Sequence, residues 1–111
     1  MKHEMGLQDK WFNEIKYGTK RFELRLFDGK RKQIRLGDTI LFTSKSGDKL
    51  SCKVVGLLRA QTFNDIFNIL PIELVANKTT SKTEMLKIME QFYPLEKQTK
   101  LGVIAIGLKK I

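Results

Sequence analysis

In the stretch "RFELRLF", residues 21–27, Phe22, Leu24 and Leu26 fall at every second position, with Arg21, Glu23 and Arg25 between them. Successive strand side chains point to opposite faces. A strand is therefore predicted here, its apolar side in the core and its charged row turned outward. Asp28-Gly29 is a turn signal, and Lys30, Arg31 and Lys32 follow as a basic loop. Upstream, Trp11, Phe12 and Ile15 share one face of a helix over residues 10–17. Asp9 stands where it can cap the start of that helix, and Gly18 where it can supply a left-handed stop. The stretch "IRLGDTILF", residues 34–42, predicts a second strand entered through a Gly37-Asp38 turn, and residues 46–49 form another tight turn. Residues 49–58 alternate at first and become wholly apolar over residues 54–58, which predicts a long strand passing from half-buried to buried.

In the second half, Thr62 is placed to cap a helix over residues 63–70 that stops before Pro71. Residues 77–82 are polar and predict a loop. Ser81 with Glu84 fits a capping box, after which Met85, Met89 and Phe92 line a helix face assigned to the core, ending before Pro94. Residues 101–111, "LGVIAIGLKKI", predict a buried closing strand. The pattern amounts to four or five strands and three short helices. Strands this far apart in sequence must pair, which implies a mixed α+β body with a small curved or closed sheet.

Length and composition add limits. At 111 residues the chain is one domain, residues 1–111, with room for one core. No apolar run approaches the ~18 residues a membrane span needs, and the first residues carry no secretion-type apolar segment. A single cysteine, Cys52, excludes an internal disulfide, and its setting between Ser51 and Lys53 marks it as a core thiol. A reducing cytoplasm is the expected compartment. With one Cys, one His and no carboxylate pair at ligand spacing, neither a metal site nor a cofactor is expected. The net charge of +9 and a pI of about 9.8 change the picture more. Such a field draws in polyanions, and nucleic acid is the partner it favours. The plainer alternative is a soluble domain whose lysines are merely spread over the surface.

The charged row has the same two readings. An acid two positions from each of two arginines can hold both in place, and arginine offers a planar fork suited to phosphate or a base edge. Lys20, at the strand entry, either reaches the same recess or lies in water. The alternative is an ordinary solvent face laced with ion pairs worth ~0–1 kcal/mol each.

These residues resemble the ASCH domain, a member of the PUA-like superfamily. The motif G-x-K-x-x-E-x-R is met by Gly18, Lys20, Glu23 and Arg25, and I-x-x-GD-x-I-x-F by Ile34, Gly37, Asp38, Ile40 and Phe42. Trp11-Phe12 ahead of them, Phe63 entering a short helix, "FYP" at residues 92–94 and the closing "LGVIAIGL" extend the likeness over nearly the whole chain. The resemblance implies a small PUA-like β-barrel of five or six strands, with about three short helices at its rim and a cleft lined by the G-x-K-x-x-E-x-R strand. It also implies RNA binding, in translation or its regulation.

Two functions of different class follow. In a binding module, Lys20, Arg21, Arg25, Lys30, Arg31 and Lys32 hold phosphates in a basic cleft while Glu23 orients arginine or reads a base. Phosphate contacts give affinity and base contacts give choice. RNA or a nucleotide is the expected partner, single-stranded or looped, with Phe27 and Tyr17 as candidate stacking residues and a monomer as the default state. In the alternative, the likeness extends to amidohydrolases that act on acylated nucleosides such as N4-acetylcytidine with a lysine, a threonine and a glutamate, and to ribonucleases. Lys20 matches that lysine. Glu23, however, stands at the threonine position, and the distal glutamate has no counterpart among Glu73, Lys78 and Glu84. Lys20 and Glu23 remain a possible general acid–base pair. His3, expected at a frayed terminus, is a poor base.

Overall fold

A computed structural model describes residues 1–76 and 80–111. The chain runs β1 (Lys2–Leu7), α1 (Asp9–Lys16), β2 (Phe22–Leu26), β3 (Thr39–Ser44), β4 (Lys49–Ala60), α2 (Phe63–Phe67), α3 (Ile72–Val75), α4 (Lys82–Phe92), α5 (Leu95–Leu101) and β5 (Val103–Lys110). A single 3-10 turn, Arg31–Gln33, lies in the loop between β2 and β3. The five strands form one sheet in the order β1-β3-β4-β5-β2. β1 pairs with β3 in parallel and the other neighbours pair antiparallel. The sheet curls into a half-barrel of the PUA-like kind, and the fold is α+β.

Two apolar clusters occupy the two faces of this curl. On the inner face Met5, Leu7, Ile40, Phe42, Ile104 and Ile106 meet Phe12 and Ile15 of α1. On the outer face Leu24, Val103 and Ala105 pack under Phe63, Ile66, Phe67, Met85 and Met89 of the helices. β2 is thus covered on both sides, and this revises the outward row predicted for it. Residues opposite each other in a ladder share a face. Glu23 pairs with Ile106 and Arg25 with Ile104, so both side chains point into the half-barrel, not to solvent.

Local signals explain most of the elements. The expected capping box of Ser81 with Glu84 forms, and Thr62 caps its helix as expected, completing a second box with Asp65; Gly18 (φ 83°) and Gly37 (φ 89°) take the left-handed conformation required at their turns. Asp9 does not cap α1; its carboxylate accepts from Ser46 Oγ at 2.5 Å and Ser46 N at 3.2 Å, tying α1 to the β3–β4 turn. β4 keeps alternating along its whole length, with Val55 and Leu57 exposed. A bulge lies between Val54 and Gly56, and the even-numbered residues are the better buried on both sides of it. Beyond the bulge Gly56 lies against Gly107, and the Phe22 ring closes over the pair. Strand β1 and helices α3 and α5 escaped the pattern. His3 is buried in β1, with Nε2 and Asp38 Oδ2 hydrogen-bonded at 2.8 Å, so it does not lie on a frayed end. Residues 77–79, including Lys78, lie outside the described residues.

Candidate functional site

The two edge strands of the curl, β1 and β2, approach each other without forming a ladder. Arg25 Nη2 donates to Gly6 O at 2.8 Å and Lys30 Nζ to Glu4 O at 2.9 Å, so side chains of the β2 side bond the open edge of β1. A cleft of about 200 Å³ opens at this seam. Its walls come from four places: Gly6, Leu7 and Gln8 at the end of β1; Trp11 of α1; Lys20, Glu23 and Arg25 around β2; and Met85, Met89, Phe92 and Tyr93 at the end of α4.

At its floor three charged groups interlock. Glu23 Oε2 accepts from Arg25 Nε at 2.7 Å, and Glu23 Oε1 lies 3.6 Å from Lys20 Nζ. Lys20 Nζ also donates to Val75 O at 2.7 Å and sits 5.5 Å from the Trp11 ring centroid. Lys20 and Glu23 are 3% and 5% exposed, a depth at which ions persist only when paired and hydrogen-bonded. Burial lowers the pKa of Lys20 below its ordinary value, opposed by the charges of Glu23 and Glu14. Burial also works against the charge of Arg25, but Glu23, Tyr93 and Asp28 together more than offset it and the guanidinium stays charged. Lys20 and Arg25 thus bring two basic groups to the one carboxylate in the cleft wall, with Glu14 also acting on Lys20.

The expected site residues separate into two groups. Lys20, Glu23 and Arg25 meet in the cleft. Arg21 does not; it precedes β2, its backbone bonds to Leu74 and Leu108, and its side chain lies in solvent. Lys30, Arg31 and Lys32 are not in the cleft wall either. Arg31 pairs with Asp28 at 3.0 Å, and the Lys32 amine lies 5.7 Å from the Phe27 ring centroid. The cleft is accordingly aromatic and thioether in its walls, not a strongly basic groove. Its stacking surfaces also differ from those expected. Tyr17 is 73% exposed with Lys16 near its ring, and Phe27 carries Arg59 at 3.9 Å. Trp11, Phe92 and Tyr93 face the recess instead. A signal for Phe92 was present: it falls on the Met85 and Met89 stripe but at the helix end, where it is 49% exposed. Behind the wall, buried Gln98 donates to Tyr93 O at 2.8 Å and accepts from Phe63 N at 3.0 Å, fixing the turn that carries Tyr93.

Other candidates fall away from chemistry. Burial raises the Cys52 thiol to about 11, so it stays protonated and inert at neutral pH. Glu84 is spent in its capping box and Glu73 is exposed on α3. Among the described residues no group of three or more His, Cys, Asp or Glu could hold a metal ion, and no helix is long and apolar enough to cross a membrane.

Residues 5–111 match the family profile of the ASCH domain. The chain belongs to the ASCH domain family. Two solved structures share this ASCH fold over essentially their full length. The crystal structure of hypothetical protein PH0355 is 40% identical, with 100% of both chains covered and a TM-score of 0.91. The solution NMR structure of protein PF0455 from Pyrococcus furiosus is 33% identical, covering 100% of this chain and 98% of that one, with a TM-score of 0.79. No curated protein matches this ASCH domain.

Proposed function

We propose that this ASCH domain binds single-stranded RNA or a nucleotide by taking one unstacked base into the seam cleft. The observation that carries the reading is the meeting of Lys20, Glu23 and Arg25 beneath the aromatic walls of Trp11, Phe92 and Tyr93. A volume of about 200 Å³ is below the roughly 300–1,000 Å³ that houses whole drug-sized ligands. It suits one base with its sugar and phosphate outside. Aromatic side chains stack on any base at ~1–3 kcal/mol each. Glu23 keeps lone pairs that can accept from a base amine, while Lys20 and Arg25 keep N–H groups for a ring nitrogen or carbonyl. Phosphates belong to the exposed cations outside the recess, Arg21, Lys30 and Lys32, with Arg31 contributing only if it leaves Asp28.

The chain's only tryptophan lines the cleft, which supplies the test. Titrating short oligonucleotides of each base should quench Trp11 fluorescence saturably, and Lys20→Ala and Arg25→Ala, checked for folding by circular dichroism, should abolish the quench. Unchanged fluorescence at low salt, or equal binding by both variants, rejects the proposal.

A second reading rests on Lys20, whose pKa is lowered by burial and whose amine lies 3.6 Å from Glu23. Such a pair can shuttle a proton during hydrolysis of RNA or an acylated nucleoside. It ranks second because, among the described residues, no serine, threonine or second carboxylate lines the cleft, and its one hydroxyl is the Tyr93 phenol. Chromatography after incubation with N4-acetylcytidine and with RNA separates the two: turnover lost in Lys20→Ala favours hydrolysis, and intact substrate favours binding alone.

A further inference from the structure

Among the described residues three runs of strand lack a neighbour on one side: β1, β2 and the far part of β4. The open edge of β1 is bonded by Lys30 and Arg25 at the Glu4 and Gly6 carbonyls. The start of β2 is held by α3, where Arg21 N donates to Leu74 O at 2.7 Å. The third lies within β4. Its ladder with β3 covers residues 49–53 and ends with Gly37 N to Val54 O at 2.8 Å and Val54 N to Asp38 O at 2.8 Å. From there β4 runs on over residues 55–60 paired to β5 alone. Among the described residues no backbone or side-chain group bonds this run from the β3 side. Every second residue of an antiparallel strand turns its N–H and C=O away from the neighbour it is paired with, so the run carries a row of free strand-pairing groups.

The side chains along it are those of a docking strip. Val55 is 55% and Leu57 36% exposed, and Leu36, on the loop that meets β4 at Val54, is 65% exposed. Arg59 follows two residues after Leu57, stacked on Phe27 at 3.9 Å with Lys32 near the same ring, and neither cation has a carboxylate within 4 Å. Unguarded edges of this kind are templates for an added strand.

We infer that residues 55–60 form a β-augmentation site for an extended, acidic segment of a partner protein. The segment's backbone completes the ladder, its alternate apolar side chains cover Val55 and Leu57, and its carboxylates pair with Arg59 and Lys32. Charge complementarity fixes the occupant. A second copy of this chain brings another +9 and sets cation against cation at the seam. A nucleic acid has the right charge, but its donors and acceptors do not repeat at the spacing of a strand's alternating N–H and C=O groups. The site shares Lys32 with the phosphate contacts proposed above but no residue with the cleft, and it does not rest on base binding there.

The test uses the full chain and a synthetic peptide of about nine residues alternating Glu with Val or Ile, a length that spans the edge. Hydrogen exchange followed by NMR should show the amides of residues 55–60 slowed about tenfold at saturation, the scale of an equilibrium shift of ~1.4 kcal/mol. Arg59→Glu and, separately, Val55→Glu should each weaken binding at least about tenfold, while Lys20→Ala leaves it unchanged. A matched peptide carrying Lys in place of Glu should not bind. The inference is overturned if the acidic peptide gives no protection, if both peptides bind alike, if oligonucleotide protects the same amides instead, or if ultracentrifugation shows that this edge pairs two copies.

Discussion

Replacing Glu23 by Gln is the perturbation that most directly examines the charged floor of the cleft. Glutamine keeps the shape of the side chain and an acceptor for Arg25 Nε, but it removes the negative charge. At an effective dielectric constant of about 20, unit charges at the observed 3.6 and 2.7 Å separations attract by about 5 and 6 kcal/mol before desolvation is subtracted. Most of that offsets the cost of burying the ions. What remains on breaking a buried pair is typically ~3–5 kcal/mol, because the partner is left charged and dry. Lys20, 3% exposed, can relieve part of the strain by losing its proton, so the lower end, about 3 kcal/mol, is expected near neutral pH. For a chain of this length that corresponds to a fall in Tm of about 12 °C, at roughly 4 °C per kcal/mol.

The pH dependence gives the same variant a second, sharper readout. The folded pKa of Lys20 lies below its ordinary 10.5, so between the two values the unfolded chain holds more protons, and stability rises with pH. In the variant Glu23 no longer props the Lys20 charge, the folded pKa falls further, and that window opens downward. Melts followed by circular dichroism at about pH 7 and about pH 9.5 should therefore show Glu23→Gln recovering more stability than wild type on the alkaline side. A variant melting within about 2 °C of wild type at neutral pH, a shift of under ~1 kcal/mol, or one with an unaltered pH slope, refutes the claim that Glu23 holds Lys20 and Arg25 by charge.

Three further outcomes are expected. Gly107→Ala should destabilise by ~1–3 kcal/mol in thermal melts, since its new Cβ would meet Gly56 backbone and the Phe22 ring at 3.1 Å. Asp38, held down to about 2 by its hydrogen bonds, first to His3 and then to Arg35 N, should contribute stability that is complete above its ordinary 3.8 and lost as pH falls toward 2. Asp38→Asn should flatten that acid limb and speed hydrogen exchange in β1 before β5. Ser81→Ala, which breaks the capping box of α4, should cost about 1 kcal/mol and should weaken ligand binding only if the α4 end carrying Phe92 and Tyr93 shifts with it.

What the sequence made legible, and what it hid, divides along one physical line. Local signals are short-range and read well: the turns at Gly18 and Gly37, the helix caps at Thr62 and Ser81, and strands β2 to β5 all follow from neighbours within a few positions. The pairing of edges is long-range and has no such signature. β1 was missed because its inward positions are His3, Met5 and Leu7; a histidine that finds a buried carboxylate 35 residues away reads as polar in a pattern search. The same blindness governed the site. Alternation at Phe22, Leu24 and Leu26 correctly separated the two faces of β2, and the G-x-K-x-x-E-x-R likeness singled out Lys20, Glu23 and Arg25. A polar row on a strand, however, is turned to water only if nothing packs there. Here the curl of the sheet brings β1 and α1 across it, and the row is buried at 5% for Glu23. Burial is what makes the three residues act as one unit. An exposed ion pair is worth little and fixes nothing, whereas a carboxylate held between a buried lysine and an arginine bound to the opposite strand sets both the geometry of the cleft and the closure of the half-barrel. Arg21, one position outside the curl, has the same charge and the same alternation but reaches only solvent, because the sheet does not extend over it. The capacity of this strand to form a site therefore resides less in its charges than in the neighbouring edge that was invisible in the sequence.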